Sequence, residues 1–153
     1  MRLIVVFILC ISIVSCKQST MTNHIAFRLK PGQDLKLAID SIVKEEKINA
    51  GWIVTCVGSL TNYNIRFANW PNGSIDSGHF EIVSLVGTLS TEGSHLHISI
   101  SDSSGKTIGG HLLDGCKIYT TAEIVIAKSD EMHFSREEDG TTSWKELKIK
   151  QKK

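Results

Sequence analysis

The sequence predicts an α+β domain in which one amphipathic helix covers a strongly curved β-sheet. Three observations carry that expectation. A three-and-four-residue apolar period marks a single helix over residues 34–48, where Leu35, Ala38, Ile39, Ile42 and Val43 form one stripe. Much of the remaining chain falls into Ile-, Val- and Thr-rich runs of strand length. Between those runs lie turn residues, with twelve glycines in the chain against two prolines. A length of 153 residues suits one domain.

The N-terminus stands apart from that domain. Arg2 precedes an almost wholly apolar run over residues 3–14, too short to cross a bilayer comfortably and suited to an export signal. The run ends in Ile13-Val14-Ser15-Cys16, which resembles the bacterial lipoprotein processing box. The expectation is therefore a signal peptide at 1–15, lipid on Cys16 and a polar tether at 16–21. The domain then spans 22–149 and a basic tail 150–153. Such a protein is exported and lipid-anchored in the bacterial cell envelope, held at the membrane without a spanning helix. An uncleaved anchor or an ordinary signal peptide is the competing reading.

The helix has its own start and stop signals. Asp34 is placed to cap it, and Asn49 or Gly51 offers the left-handed residue that ends it. Strands are expected at 24–30, 52–60, 63–68 and 80–90, with a loop over 69–78. A hairpin follows, 94–100 and 106–112 joined by Asp102-Ser103-Ser104-Gly105. Further strands fall at 119–127, 132–136 and 144–149. Cys56 and Cys116 sit in apolar strand-like runs. Export permits a disulfide between them, and two buried thiols fit equally well.

The hairpin holds the residues that look like chemistry. His95 and His97 are two apart on a strand, so their imidazoles share a face, while Leu96, Ile98 and Ile100 face the other way. The partner strand could bring His111 beside them, and Gly109-Gly110 permits close approach of backbones there. Three imidazoles suit zinc or another divalent transition metal, and a three-ligand site leaves a fourth position open. The bland alternative is a set of solvated sheet histidines. Arg66, Glu81 and Glu123 interrupt apolar patterns and are the candidate catalytic or ion-pairing groups. His24, His79 and His133 read as surface residues. The formal charge is +1, and loss of Arg2 with the signal leaves sixteen bases against sixteen acids. That balance gives no electrostatic basis for a nucleic-acid partner.

Several of these segments together resemble the PPC domain (plants and prokaryotes conserved, also called DUF296). They are the run 80–89, the strand from His95, Asp102 and Gly105, Gly109-Gly110-His111-Leu112, and residues 121–126. Pro31-Gly32 with Asp34-Leu35 before the helix and Gly58-Ser59-Leu60 after it fit the same pattern. The resemblance implies an α+β domain with a mixed curved sheet, assembled as a homotrimer. It also brings a DNA-binding label, because plant members carry AT-hook segments. This chain has no Arg-Gly-Arg-Pro core and no basic arm beyond its tail, so DNA binding is not expected.

The fold is also similar to that of acetolactate decarboxylase, whose zinc is held by a His-x-His pair and a later histidine. Carried over, those ligands fall on His95, His97 and His111. The resulting expectation is a membrane-anchored trimeric module with a three-histidine metal site and an unassigned ligand, a small molecule being one candidate. A zinc-dependent small-molecule lyase or hydrolase is the alternative.

Overall fold

Residues 23–152 are described by a computed structural model. The expected signal peptide and the tether with Cys16 lie outside the described residues. Among the described residues, eight strands and one helix follow in the order β1 (Asn23–Leu29), α1 (Leu35–Glu45), β2 (Gly51–Arg66), β3 (Ser74–Leu89), β4 (His95–Ser101), β5 (Thr107–Leu112), β6 (Lys117–Lys128), β7 (Met132–Glu137) and β8 (Glu146–Gln151).

Six strands form one sheet in the order β1-β6-β2-β3-β4-β5, and β7 and β8 form a separate hairpin. Each of these pairings is antiparallel, where the family resemblance implied a mixed sheet. The long strand β2 produces the curvature. Its residues 51–62 pair with β6, and beyond a register shift between Leu60 and Asn62, Ile65 and Arg66 pair with Leu112 and His111 of β5. Strand β5 thus takes over the edge that β6 leaves, and β2, β3, β4 and β5 close on one another.

The helix is fixed at both ends. Asp34 Oδ1 accepts from the Leu37 N–H at 3.1 Å, as the capping pattern predicts. Its Oδ2 accepts from the Gly115 N–H at 2.7 Å and lies 3.5 Å from Lys117 Nζ, which ties the helix start to the entry of β6. At the other end the left-handed residue is Lys47 (φ 50), not Asn49 or Gly51. The Ile48 N–H reaches the Val43 carbonyl at 2.9 Å and the Lys47 N–H reaches Lys44 at 3.2 Å, a Schellman arrangement. Ile48 and Val43 are both buried in the core, so their contact outweighs the modest cost of a non-glycine residue at that position.

Leu35, Ile39 and Val43 of the helix bury against sheet residues such as Leu60, Ile98, Ile118, Ile124 and Ile126. Several predicted boundaries moved: the helix ends at Glu45 and not at 48, and the last strand, expected at 144–149, runs Glu146–Gln151, so Lys150 and Gln151 of the expected basic tail pair with His133 and Met132. The strands expected at 52–60 and 63–68 are one continuous β2, with a register shift between Leu60 and Asn62. Strand β3 begins at Ser74, inside the predicted loop, because Ser74–Ser77 pair across to Ile65–Asn62. Local turn residues lose there to ladder hydrogen bonds. Cys56 and Cys116 are free, buried thiols.

Candidate metal centre

The histidines meet because of the register of β4 on β5. His97 lies directly opposite His111, and the next pair along is Ile98 with Gly110. Directly paired residues point to one side of a sheet, and so do residues two apart on a strand. His95, His97 and His111 therefore share a face, while Leu96, Ile98 and Leu112 enter the core. The predicted turn sets that register. Asp102 Oδ1 accepts from the Ser104 and Lys106 N–H groups at 2.8 and 3.1 Å, and Gly105 takes a positive φ of 81°.

Two glycines let neighbouring strands approach the site. A Cβ on Gly87 (φ +149) would strike the His95 carbonyl oxygen. A Cβ on Gly110 would lie 2.5 Å from the Arg66 carbonyl oxygen. Gly110 therefore permits β2 to lie against β5, and that contact carries Arg66 to His111.

His95 Nε2 and His97 Nε2 each lie 3.2 Å from His111 Nδ1. One nitrogen from each ring falls within 4.8 Å of the others. His111 Nδ1 has one lone pair or one proton to offer, so it cannot make a good hydrogen bond to both neighbours. A shared cation satisfies all three. Tetrahedral coordination with Zn–N bonds of about 2.0–2.1 Å sets nitrogens roughly 3.3–3.4 Å apart, close to the two short separations here. The donor set fits a divalent metal.

Partial burial lowers the pKa of His95 most, followed by the nearby charges of His97 and Arg136, with Glu146 opposing and Arg66 adding. Burial, then Arg66, His97 and His95, lower His111. Both shifts favour the neutral ring, which keeps the lone pair that a metal needs.

The cluster opens on a cleft of about 1080 Å³, whose walls include Arg66, Trp70, His95, His111, Arg136 and Trp144. The Arg66 guanidinium lies over the Trp144 ring, 5.7 Å from its centroid. Arg136 Nη2 donates to Thr88 Oγ1 at 2.7 Å, and Thr88 is the cross-strand partner of His95.

Of the three candidate catalytic residues, the fold brings only Arg66 to the histidines. Glu81 shares their sheet face but pairs with Ser101, four residues beyond His97, or about 13 Å along the strand. Glu123 is exposed on β6, opposite Arg28 and Val57. Neither lines the cleft. The His79 ring packs tilted at 45° against Tyr119 with centroids 4.3 Å apart, and His133 pairs with Glu92 at 2.9 Å. Sequence reasoning did not single out Arg136, Trp70 or Trp144. Two tryptophans in otherwise polar loops were the available signal, since an exposed indole is costly unless something covers it.

A curved antiparallel sheet under one helix, with three clustered imidazoles at the mouth of a cleft, defines the class of this protein. The chain belongs to the Plants and Prokaryotes Conserved (PCC) domain family, whose model matches residues 16–130. It is 44% identical over 122 residues to the bifunctional protein GlmU of a Synechococcus strain, covering 80% of this chain and 19% of that one. The chain thus spans about a fifth of the length of the curated relatives it matches. A hypothetical protein from Salmonella is 36% identical with a TM-score of 0.85, over 88% of this chain and 97% of that one. The metal-containing protein AF0104 of Archaeoglobus fulgidus shares the fold at 21% identity and a TM-score of 0.67, over 82% and 93% of the two chains.

Proposed function

We propose that this protein is a metal-binding member of its family, holding one divalent ion, zinc by preference, on His95, His97 and His111. The observation that carries this is the pair of 3.2 Å separations converging on His111 Nδ1, which two imidazole hydrogen bonds cannot satisfy together. The Archaeoglobus protein of the same fold is described as metal-containing, in keeping with the reading. Such an ion would supply Lewis acidity, and the cleft beside it supports the second reading, a zinc-dependent lyase or hydrolase acting on a small molecule.

In this reading the domain is tethered to the bacterial envelope by lipid on Cys16. It works as a homotrimer, and the exposed Val57, Val83 and Val86 support burial between subunits, being 58%, 58% and 54% accessible in the single chain. DNA binding is no part of the proposal, because the sequence carries no net excess of cationic residues to neutralise phosphates.

Elemental analysis after zinc loading and gel filtration tests the metal. One ion per chain is expected, and a chain that emerges metal-free after loading refutes the site. Light scattering on the same sample reads the subunit number. Metabolic labelling with palmitate reports the lipid, and its loss in Cys16→Ser is the expected result.

A further inference from the structure

We propose that the cleft beside the histidines is a receptor for a small organic carboxylate, clasped by Arg66 and Arg136 and packed against the indoles of Trp70 and Trp144. The metal reading matters here only for where the ligand's reactive end would lie, since the same cleft is lined by His95 and His111. The anion contact belongs to the arginines.

The charge pattern argues for an anion. Arg66, Arg136 and Lys145 line the cleft against one acid, Glu146. Among the described residues, the ion pairs are made by lysines and His133, and neither Arg66 nor Arg136 has a carboxylate partner within 4.0 Å. Both are partly buried. A guanidinium drawn partly out of bulk water without a carboxylate in direct contact is unfavourable, and burial lowers the pKa of Arg136 while the more distant Glu146 charge opposes that shift only in part. An anion in the cleft would give both guanidinium groups the contact partner they lack.

The donors favour a carboxylate. A guanidinium presents five N–H groups in a planar fork, and Arg136 commits one of its nitrogens to Thr88. The remaining edge matches the two coplanar oxygens of a carboxylate. The indoles add the second half of the specificity. Trp70 and Trp144 are 59% and 66% exposed, and large apolar rings on a cleft wall are the places where an apolar ligand body gains most.

The origin of the wall is also informative. His95, His111 and Arg66 lie inside the stretch matched by the family model, which ends at residue 130. Arg136, Trp144, Lys145 and Glu146 come from the β7–β8 hairpin and its connection, beyond that point. The shared sheet thus supplies the imidazoles, and the C-terminal hairpin supplies much of the ligand's selectivity.

The test uses the full mature chain, metal-free and zinc-loaded, titrated with benzoate, with its uncharged analogue benzamide and with inorganic phosphate. Tryptophan fluorescence reads binding, and elemental analysis reads metal. Benzoate is expected to bind saturably and at least roughly tenfold tighter than benzamide or phosphate. Arg66→Gln and Arg136→Gln should each weaken benzoate by a similar factor while zinc content stays at the wild-type level. Benzoate binding no tighter than benzamide in the wild-type protein overturns the inference, even if either variant fails to fold. Equal binding of phosphate overturns the carboxylate assignment. Zinc uptake without arginine-dependent benzoate binding sinks this inference and leaves the metal site standing. Arginine-dependent benzoate binding in a chain that takes up no zinc does the reverse.

Discussion

Along β4, alternate residues live in different surroundings. Leu96, Ile98 and Ile100 are 3%, 1% and 0% exposed, while His95 and His97 between and beside them look out at solvent and at His111. The pleat alone separates them, since a one-residue slip in register would exchange the two sets. The comparison teaches that folding and chemistry share one strand here without sharing a side chain. The inward face fixes where the strand lies, and the outward face uses that position. Substitutions on the two faces should therefore fail in different ways.

The largest effect is expected from the inward face. Ile98→Ala removes a side chain that is 1% exposed at the centre of the closed β2–β5 unit and should cost about 2–5 kcal/mol in denaturant unfolding. Zinc binding should fall only in proportion to the folded fraction. A variant that stays fully stable yet loses zinc would break the separation.

Alkaline pH probes the same interior by another route. Burial pushes Cys56 up to about 12 and Cys116 up to about 11. Unfolded thiols ionise near pH 8.5. The folded chain then holds two protons that the unfolded chain releases. The thiols' contribution is fully present below the unfolded value and is lost as pH rises through the folded values. The slope should be on the order of 1 kcal/mol per pH unit per thiol, seen as a falling Tm above pH 9. Cys56→Ala with Cys116→Ala should flatten that slope. The same burial predicts that neither thiol reacts with iodoacetamide at pH 7.5 in the folded protein.

At Gly110 the two faces meet, and an intermediate outcome is expected. Its added Cβ would sit 2.5 Å from the Arg66 carbonyl and 3.0 Å from Ile65 Cγ2, so β5 must move off β2. Gly110→Ala should cost about 1 kcal/mol or somewhat more as an overpacking change. It should also weaken zinc binding, because His111 moves with β5. Calorimetric titration with zinc beside an unfolding curve separates the two losses.

How much of this was legible in the sequence depended on the range of the forces involved. Asp34, the helical stripe and the Asp102–Gly105 turn act over a few residues and were readable. The histidine cluster was readable because one turn fixes the register of its two strands. Arg136 and Trp144 were hidden, because the β7–β8 hairpin forms its own two-stranded sheet and nothing local says where it docks. Glu81 and Glu123 looked like site residues because a carboxylate in an apolar strand is costly if buried. Both avoid that cost by facing water, which alternation alone could not locate.

The smallest effect on stability, and the sharpest on metal, is expected at His97. Its ring is exposed, its backbone keeps the ladder to Val86 and His111, and no core contact depends on the imidazole. In the metal-free protein His97→Ala should shift stability by no more than about 0.5 kcal/mol, the usual range for a surface substitution. With zinc at a hundred times its dissociation constant, the wild-type chain should gain about 2.7 kcal/mol from ligand linkage. The variant retains two imidazoles and should lose nearly all of that gain. Unfolding curves for both chains, with zinc and with a chelator, make the measurement. Equal zinc stabilisation in the two chains would place the ion elsewhere. A large loss of stability in chelator would show that His97 supports the fold, and the division between the faces of β4 would then be wrong.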